Sequence, residues 1–368
     1  MAFIAILMML AQVVRSVGPH RGGEGDSEPI MSAAKTGNPS RSTTNSGARS
    51  ADLAILYEHP AWFEKVFAEL DRRGVDYVRL HAPEHFFDLD STERPWPVLF
   101  NRMSPSAWRR EHGSGLFYTL SYLSHVESLG TRVVNGSKSF RHELSKALQL
   151  SLLRSLDLPF PKTRVIHAPE QAPAAAAGLR FPVVLKPNIG GSGAGVVRFG
   201  SPEELERAVQ NHQLALGFDH VGLLQEFIPA RGGFISRVET LNGRYLYGIR
   251  VYLTGETFDL CPADICRTTS GQDLTAPGCV VEAGKAGLRV EGFEPPTPIV
   301  RAVESIARGA GIDVGGIEYI VDDRDGQVYY YDVNALSNFV ADAPTVVGFD
   351  PFVRLVDFLE ETIDLARK

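Results

Sequence analysis

Apolar and polar positions follow one rhythm in the first folded part of this chain and another after it. From Leu53 the run LAILY is a short apolar strand, and HPAWFEKVFAELDRRG then spaces its apolar residues as one helical face and stops at Gly74. VDYVRL, PVLFNR (97–102) and TRVVNG (131–136) read as further strands, with a helix across residues 116 to 129. Strands alternating with helices predict a small parallel α/β domain over residues 51–140.

From Phe140 the rhythm changes. ELSKALQLSLLRSL is strongly helical, and PFPKTRVIH turns through two prolines into a strand. FPVVLKP is a near-continuous apolar strand, with VVRFG as its partner beyond a glycine-rich loop. Ser201, Pro202 and Glu204 form a capping box that starts SPEELERAVQNHQ, and HVGLLQEFI is another buried strand. Beyond Arg231-Gly232-Gly233 come the strands FISRVETL and YLYGIRVYL, a polar loop near 266 to 278 and a helix at 298 to 310. A hairpin inside GGIEYIVDDRDGQVYYYDVNALSNF (315–339) and a closing amphipathic helix from about 350 complete the chain. The class is mixed α/β, with two α+β subdomains expected over residues 141–229 and 230–368.

The first fifty residues form a separate region. Phe3 to Val14 is an apolar run too short to cross a bilayer comfortably, and no Lys or Arg precedes it. Residues 15 to 50 hold almost no large apolar side chains, so burial cannot offset the entropy of ordering them, and disorder is expected. Met31 offers a second start, which favours a dispensable extension over an export signal. With no stable membrane insertion expected, and Cys261, Cys266 and Cys279 forming no CxxC pair, the cysteines read as reduced structural thiols of a cytoplasmic protein. A net charge of −7 gives no electrostatic footprint for nucleic acid. The chain is free of internal repeats, and the sequence leaves open whether it forms a homo-oligomer.

Two segments carry the candidate chemistry. Lys186 ends the apolar strand VVLKP, where its charge is costly unless paired. The loop Gly190-Gly191-Ser192-Gly193-Ala194-Gly195 follows, and its glycines let backbone N–H groups approach phosphate oxygens. The loop fits neither a GxxxxGK[ST] nor a GxGxxG pattern, and alone it reads equally well as a flexible hairpin tip. In the second segment Asp332 and Asn334 share one face of a strand. A three-residue loop with Gly326 in the left-handed region would set Glu318 directly opposite Asp332, giving three oxygen-bearing side chains suited to Mg²⁺. The acidic run Asp322 to Asp325 itself reads as a solvated hairpin tip.

Together these residues resemble the ATP-grasp superfamily, and within it the RimK-type carboxylate–amine ligases (the glutathione synthetase ATP-binding-domain type). The resemblance spans roughly residues 97 to 340 and rests on NRMSP (101–105), SLGTRVVNG (128–136), SKALQLSLL (145–153), PFPKT (159–163), the lysine and glycine-loop segment, LLQEFI (223–228) and the pair IEYIV and YDVN. It implies a parallel α/β domain preceding two α+β subdomains that clasp ATP. By similarity, Lys146 and Lys186 would contact phosphate and adenine, residues 190 to 195 would close over the triphosphate, and Gln225, Glu226, Phe227 and Ile228 would form the adenine hinge. Glu318, Asp332 and Asn334 would hold Mg²⁺, with Mn²⁺ as a substitute ion. The chain departs from the family at Asp332, where Glu is usual, and in the turn Ala335-Leu336-Ser337-Asn338-Phe339.

The resemblance implies ATP-dependent joining of a small-molecule carboxylate to an amine through an acyl phosphate. Anionic transition states call for fixed positive charge, and Arg237, Arg250 and Arg267 are the candidates, Arg250 first because its strand is apolar. Each could equally be half of a structural ion pair. The ten histidines lack ligand spacing and none is assigned as a base. The alternatives are a small-molecule kinase on the same fold, a catalytically silent nucleotide-binding module, and an NAD-dependent oxidoreductase, which lacks a glycine fingerprint.

Overall fold

The structure is a computed structural model, and residues 51–191, 193–253 and 289–368 are described here. The amino-terminal extension, Ser192, Arg267, the three cysteines and the polar loop at 266 to 278 lie outside the described residues. The described residues fall in one unit, Arg49–Lys368.

Strands β1 (Leu53–Tyr57), β2 (Tyr77–His81), β3 (Val98–Arg102) and β4 (Arg132–Val134) form a parallel sheet in the order β2-β1-β3-β4. β1 (LAILY) and the first three residues of β3 (VLF) are apolar because both faces are covered, and β3 closes with the buried polar pair Asn101 and Arg102. Phe63, Val66 and Leu70 pack on one face, and Leu116, Leu123 and Val126 on the other. The helix Glu64–Arg73 ends at Gly74, whose φ of +69° lets its N–H turn back to the carbonyls of Leu70 and Asp71.

Strands β5 (Thr163–Ile166), β6 (Val183–Pro187), β7 (Val197–Phe199) and β8 (Gly222–Glu226) make an antiparallel sheet in the order β5-β8-β6-β7. Its core packs Val183, Leu185 and Leu224 against Ala172, Ala176, Leu205 and Ala208 of two short helices. The helix Pro202–Gln210 starts as its sequence directs, with Ser201 Oγ accepting from Glu204 N at 3.3 Å. The reciprocal contact comes from Gly200 N, one residue before the Ser of the usual capping box.

The third sheet is antiparallel. It contains β9 (Phe234–Leu241), β10 (Arg244–Tyr252), β11 (Val290–Phe293), β12 (Val314–Val321) and β13 (Val328–Asn334), in the order β11-β10-β9-β12-β13. Alternation sends Val238, Ile317 and Val333 to one face, against the helices Lys146–Ser155 and Thr297–Ala310. The other face sends Ile235, Tyr247, Ile249 and Val314 into a core shared with β1, β3 and the helix Pro351–Ala366.

Asn135 ties the parallel sheet to this third sheet. Held at φ +54°, it receives Asp313 N and Val314 N on its Oδ1, at 2.9 and 3.0 Å, and donates Nδ2 to Val314 O at 2.8 Å. Its backbone N–H donates to Asp313 Oδ2 at 2.8 Å. Satisfying a buried amide from both sides fixes where β12 begins, and with it the position of Glu318.

Candidate active site

The centre of the site is a cross-strand row. Arg237 of β9 lies opposite Glu318 of β12, which lies opposite Asp332 of β13. The next row on the same face is Glu239, Gly316 and Asn334. Two rows of adjacent residues, all facing one way, therefore hold the carboxylates, the amide and an arginine within one patch.

The hairpin reaches this register by a route other than the three-residue loop expected from the sequence. Asp322 N bonds Gln327 O at 2.9 Å, so four residues, Asp323 to Gly326, form the loop, with Gly326 at φ +80°. That parity would set Glu318 off Asp332. A bulge in β13 restores it: Tyr319 pairs with Tyr330 but Glu318 with Asp332, leaving Tyr331 as the extra residue. Tyr331 then shares the face of its neighbour and donates its hydroxyl to Glu318 Oε2 at 2.9 Å. Asp322 is not at a solvated tip. It is fully buried, and Arg324 Nε donates to its two carboxylate oxygens at 2.8 and 3.0 Å.

The lysines meet this patch from the other side. Lys186 is the next-to-last residue of β6, and its Nζ lies 3.4 Å from Tyr331 O and 5.9 Å from the Tyr331 ring centroid. Lys146 opens the helix Lys146–Ser155 and forms an ion pair with Asp332. Asn188 sets both positions: its Oδ1 accepts from Ala147 N at 3.0 Å and Ser145 Oγ at 3.1 Å, while its N bonds Val221 O at 2.9 Å. Gln149 covers the free edge of β13, donating to Val333 O at 2.8 Å and accepting from Val333 N at 3.1 Å.

Charge is crowded here. Burial would raise the Asp332 carboxyl, but Lys146 and Lys186 bring it below the ordinary aspartate value. Burial and the Asp332 charge push Glu318 up. Burial opposes the charge on Lys146, yet Asp332 overrides it and holds the ammonium above the usual lysine value. Burial, with Lys146 close by, brings Lys186 down to about 8. Burial raises Glu143, which accepts from Ala335 N, to about 7. Glu318, whose proton affinity the Asp332 charge raises, together with Asp332 and an amide oxygen is a hard-oxygen donor set that a divalent cation would relieve. Among the described residues no group of three His, Cys, Asp or Glu side chains is placed to hold a metal ion, so this donor set rests on two carboxylates and the Asn334 amide.

A pH dependence follows from Lys186. Its ammonium is charged below about 8 and neutral above, with Lys146, Asp332 and Glu318 as the charges acting on it. Affinity for AMP-PNP is therefore expected to fall as pH rises from 7 to 9 by about an order of magnitude, the factor set by one lost charge-assisted contact. Lys186→Arg, which stays charged, should flatten that profile in a calorimetric titration. A wild-type affinity independent of pH would contradict the assignment.

The glycine loop spans the turn from β6 to β7. Gly193 and Gly195 have φ of +73° and +75°, and a Cβ on Gly195 would lie 2.9 Å from the Pro187 ring. Gly190 and Gly191 precede this turn, and Ala194 N bonds Gly191 O at 3.2 Å. Gln225 is buried and donates to Thr163 Oγ1 at 2.7 Å; Glu226 Oε1 accepts from Arg180 N at 2.9 Å. Phe227 N bonds Pro182 O at 3.0 Å under the Arg198 guanidinium, and Ile228 is buried.

The arginines separate. Arg237 Nε donates to Glu239 Oε1 at 2.6 Å and Nη1 to Glu318 Oε1 at 3.0 Å, and these carboxylates hold its charge firmly against burial. Arg250 lies opposite Ser236, one residue out of step with Arg237, and so on the other face of the sheet. Its guanidinium sits 4.8 Å from the Phe234 ring and 4.6 Å from the Phe293 ring. The structure does not bring Arg250 to the carboxylates, and the apolar strand that recommended it reflects this aromatic packing. Sequence reasoning missed Tyr331, Glu143, Gln149 and Glu239. Glu239 alone carried a signal, two residues from Arg237 on one strand face.

The sequence profile of the RimK-like ATP-grasp domain matches residues 144–252. An α-aminoadipate–LysW ligase (LysX) of Sulfurisphaera tokodaii is 28% identical over 302 residues, covering 78% of this chain and 94% of that protein. A probable α-L-glutamate ligase of Teredinibacter turnerae is 29% identical over 298 residues, covering 73% and 94%. The crystal structure of D-alanine–D-alanine ligase from Bacillus anthracis complexed with ATP superposes with a TM-score of 0.58 at 17% identity, over 86% of this chain and 99% of that one. The chain carries a RimK-like ATP-grasp domain over residues 144–252, set within an ATP-grasp fold.

Proposed function

We propose that this protein is an ATP- and Mg²⁺-dependent carboxylate–amine ligase working through an acyl phosphate in the cytoplasm. The observation that carries the reading is the meeting of two cationic side chains with the carboxylate hairpin: Lys186 at the Tyr331 carbonyl and Lys146 on Asp332. The relatives named as α-aminoadipate–LysW and α-L-glutamate ligases support the same class. Among the described residues no helix is long and apolar enough to cross a membrane.

In this reading Lys146 and Lys186 bind the polyphosphate, residues 190 to 195 lie over it, and Gln225 to Ile228 receive the base. Glu318, Asp332 and Asn334 would hold Mg²⁺, which supplies charge neutralisation to the phosphate oxygens. A carboxylate is a poor electrophile, so the γ-phosphoryl group passes to it first. The amine then adds to the acyl carbon, phosphate leaves, and the amide forms with loss of a proton from nitrogen. Both transition states concentrate negative charge, and Arg237, beside Glu318 among the described residues, would oppose it.

The test is ADP and phosphate release over a panel of carboxylic acids with and without amines. Release that needs both partners is expected. Acid-only turnover would replace the ligase with a kinase, and nucleotide binding without turnover would leave a silent module. Asp332→Asn should raise the Mg²⁺ concentration giving half-maximal rate by about tenfold, the size of effect seen when one metal-site contact is lost. An unchanged Mg²⁺ dependence would remove Asp332 from the metal site.

A further inference from the structure

Phe218 joins the loop between the helix Pro202–Gln210 and β8 to the parallel α/β domain. Its ring stacks on Trp108 at 6.3 Å and on Phe117 at 6.1 Å between ring centroids, with interplanar angles of 14° and 27°. Gly113, the residue before the helix Ser114–Ser128, completes the slot. Its φ of −62° and ψ of −36° are open to any residue, so the backbone there does not call for glycine. Space does: a Cβ would lie 2.5 Å from Phe218 Cζ. Phe117 is 53% exposed, and Phe218 is the ring it stacks on.

The same loop meets the lysine strand on its other side. Gly217, at φ +93°, passes so close to Pro187 that a Cβ would lie 2.6 Å from the Pro187 Cβ. Asp219 Oδ2 accepts from Asn188 Nδ2 at 2.7 Å. Ile189 is buried in the core of the parallel domain with Ala107, Leu116 and Leu144. The three residues after Lys186 are therefore held from two sides, Pro187 and Asn188 by the loop that carries Phe218, and Ile189 by the parallel domain. Lys186 has one long hydrogen bond among the described residues, so its own contacts do little to fix it.

We infer that Phe218 is a positioning residue for the nucleotide site. Seated in the slot of Trp108, Gly113 and Phe117, it presses the loop against Pro187 and Asn188 and so fixes where the Lys186 ammonium points. A charge-assisted contact depends on that direction, and a lysine left to sample its rotamers gives up part of it as ordering entropy. Phe218 acts through Lys186 and not by contact with the nucleotide. The inference rests on the reading of Lys186 as a nucleotide-binding group, and deepens it.

The experiment is a calorimetric titration of the full chain with Mg·AMP-PNP in two backgrounds, wild type and Lys186→Ala, with thermal melts to confirm folding. In wild type, Phe218→Ala should weaken binding by about tenfold, within the range by which residues remote from a ligand change its coupling. In the Lys186→Ala background the same change should cost less than about twofold, because the group it positions is gone. A second pair tests the slot itself. Gly113→Ala should also weaken binding by about tenfold, since its methyl meets the ring. Adding Phe218→Leu, which lacks the Cζ and Cε2 atoms nearest that methyl, should recover most of the loss. A role confined to stability would lower the melting temperature and give neither the non-additivity nor the recovery. Equal losses in the two backgrounds, wild-type affinity in Phe218→Ala, or no recovery in the Gly113→Ala, Phe218→Leu variant would overturn the inference. Any of these, with Lys186→Ala itself weak, would leave the nucleotide reading standing. Wild-type affinity in Lys186→Ala would end that reading and the inference together.

Discussion

Lys186→Ala is expected to weaken AMP-PNP binding by about 100-fold and to abolish turnover, with the fold intact, because a charge-assisted phosphate contact is lost from a buried place. The fold should survive for an electrostatic reason. Lys186 is 7% exposed, and among the described residues its one hydrogen bond is the 3.4 Å contact to Tyr331 O. Its value in the folded chain, about 8, lies below the ordinary lysine value, so the folded state binds that proton less tightly than the unfolded one. At pH 7 the charge therefore opposes folding, and this cost fades as pH rises through the folded value toward the unfolded one. Removing the amine removes the cost and leaves a small cavity, so the melting temperature should change little. Calorimetric titration and thermal melts check both halves. Unaltered affinity would take Lys186 out of the nucleotide site.

Arg237→Lys is expected to lower kcat by about a thousandfold, the upper range for removing one preorganised transition-state donor. Nucleotide affinity should change far less. Lys keeps the positive charge between Glu239 and Glu318 but lacks the fork that reaches both. The same loss should come from a residue that touches no substrate. A Cβ at Gly316 would lie 2.6 Å from Arg237 Nη2, so Gly316→Ala must push the guanidinium off its two carboxylates. Stopped-flow measurement of phosphate release separates chemistry from binding in both variants. Wild-type kcat in either one would show that the arginine's placement over Gly316 does not matter.

What the sequence revealed, and what it hid, follows from the range of each interaction. Strand periodicity is local, so β1, β3, β9, β10 and the helix around residues 298–310 could be read directly. Lys186 was legible because a lysine ending an apolar strand contradicts its surroundings, and Asp332 with Asn334 because period two puts them on one face. The bulge at Tyr331 was not legible: it depends on pairing with β12, and two departures, a longer loop and an extra residue, cancel to leave Glu318 opposite Asp332. Arg237 and Arg250 look alike in sequence, and only their register against each other sends one to the carboxylates and the other between Phe234 and Phe293. Arg102 donates to Asn338 across 236 positions, and no local signal joins them.

The central claim is that the Lys186 strand and the Asp332 hairpin grip one and the same Mg·nucleotide. A double-mutant cycle on Mg·AMP-PNP affinity, using Lys186→Ala, Asp332→Asn and the pair, tests it most directly. Two groups acting on one bound molecule should couple, with the double variant departing from the summed single losses by more than about 0.5 kcal/mol. Losses that simply add, or an Asp332→Asn variant with wild-type affinity, would contradict it.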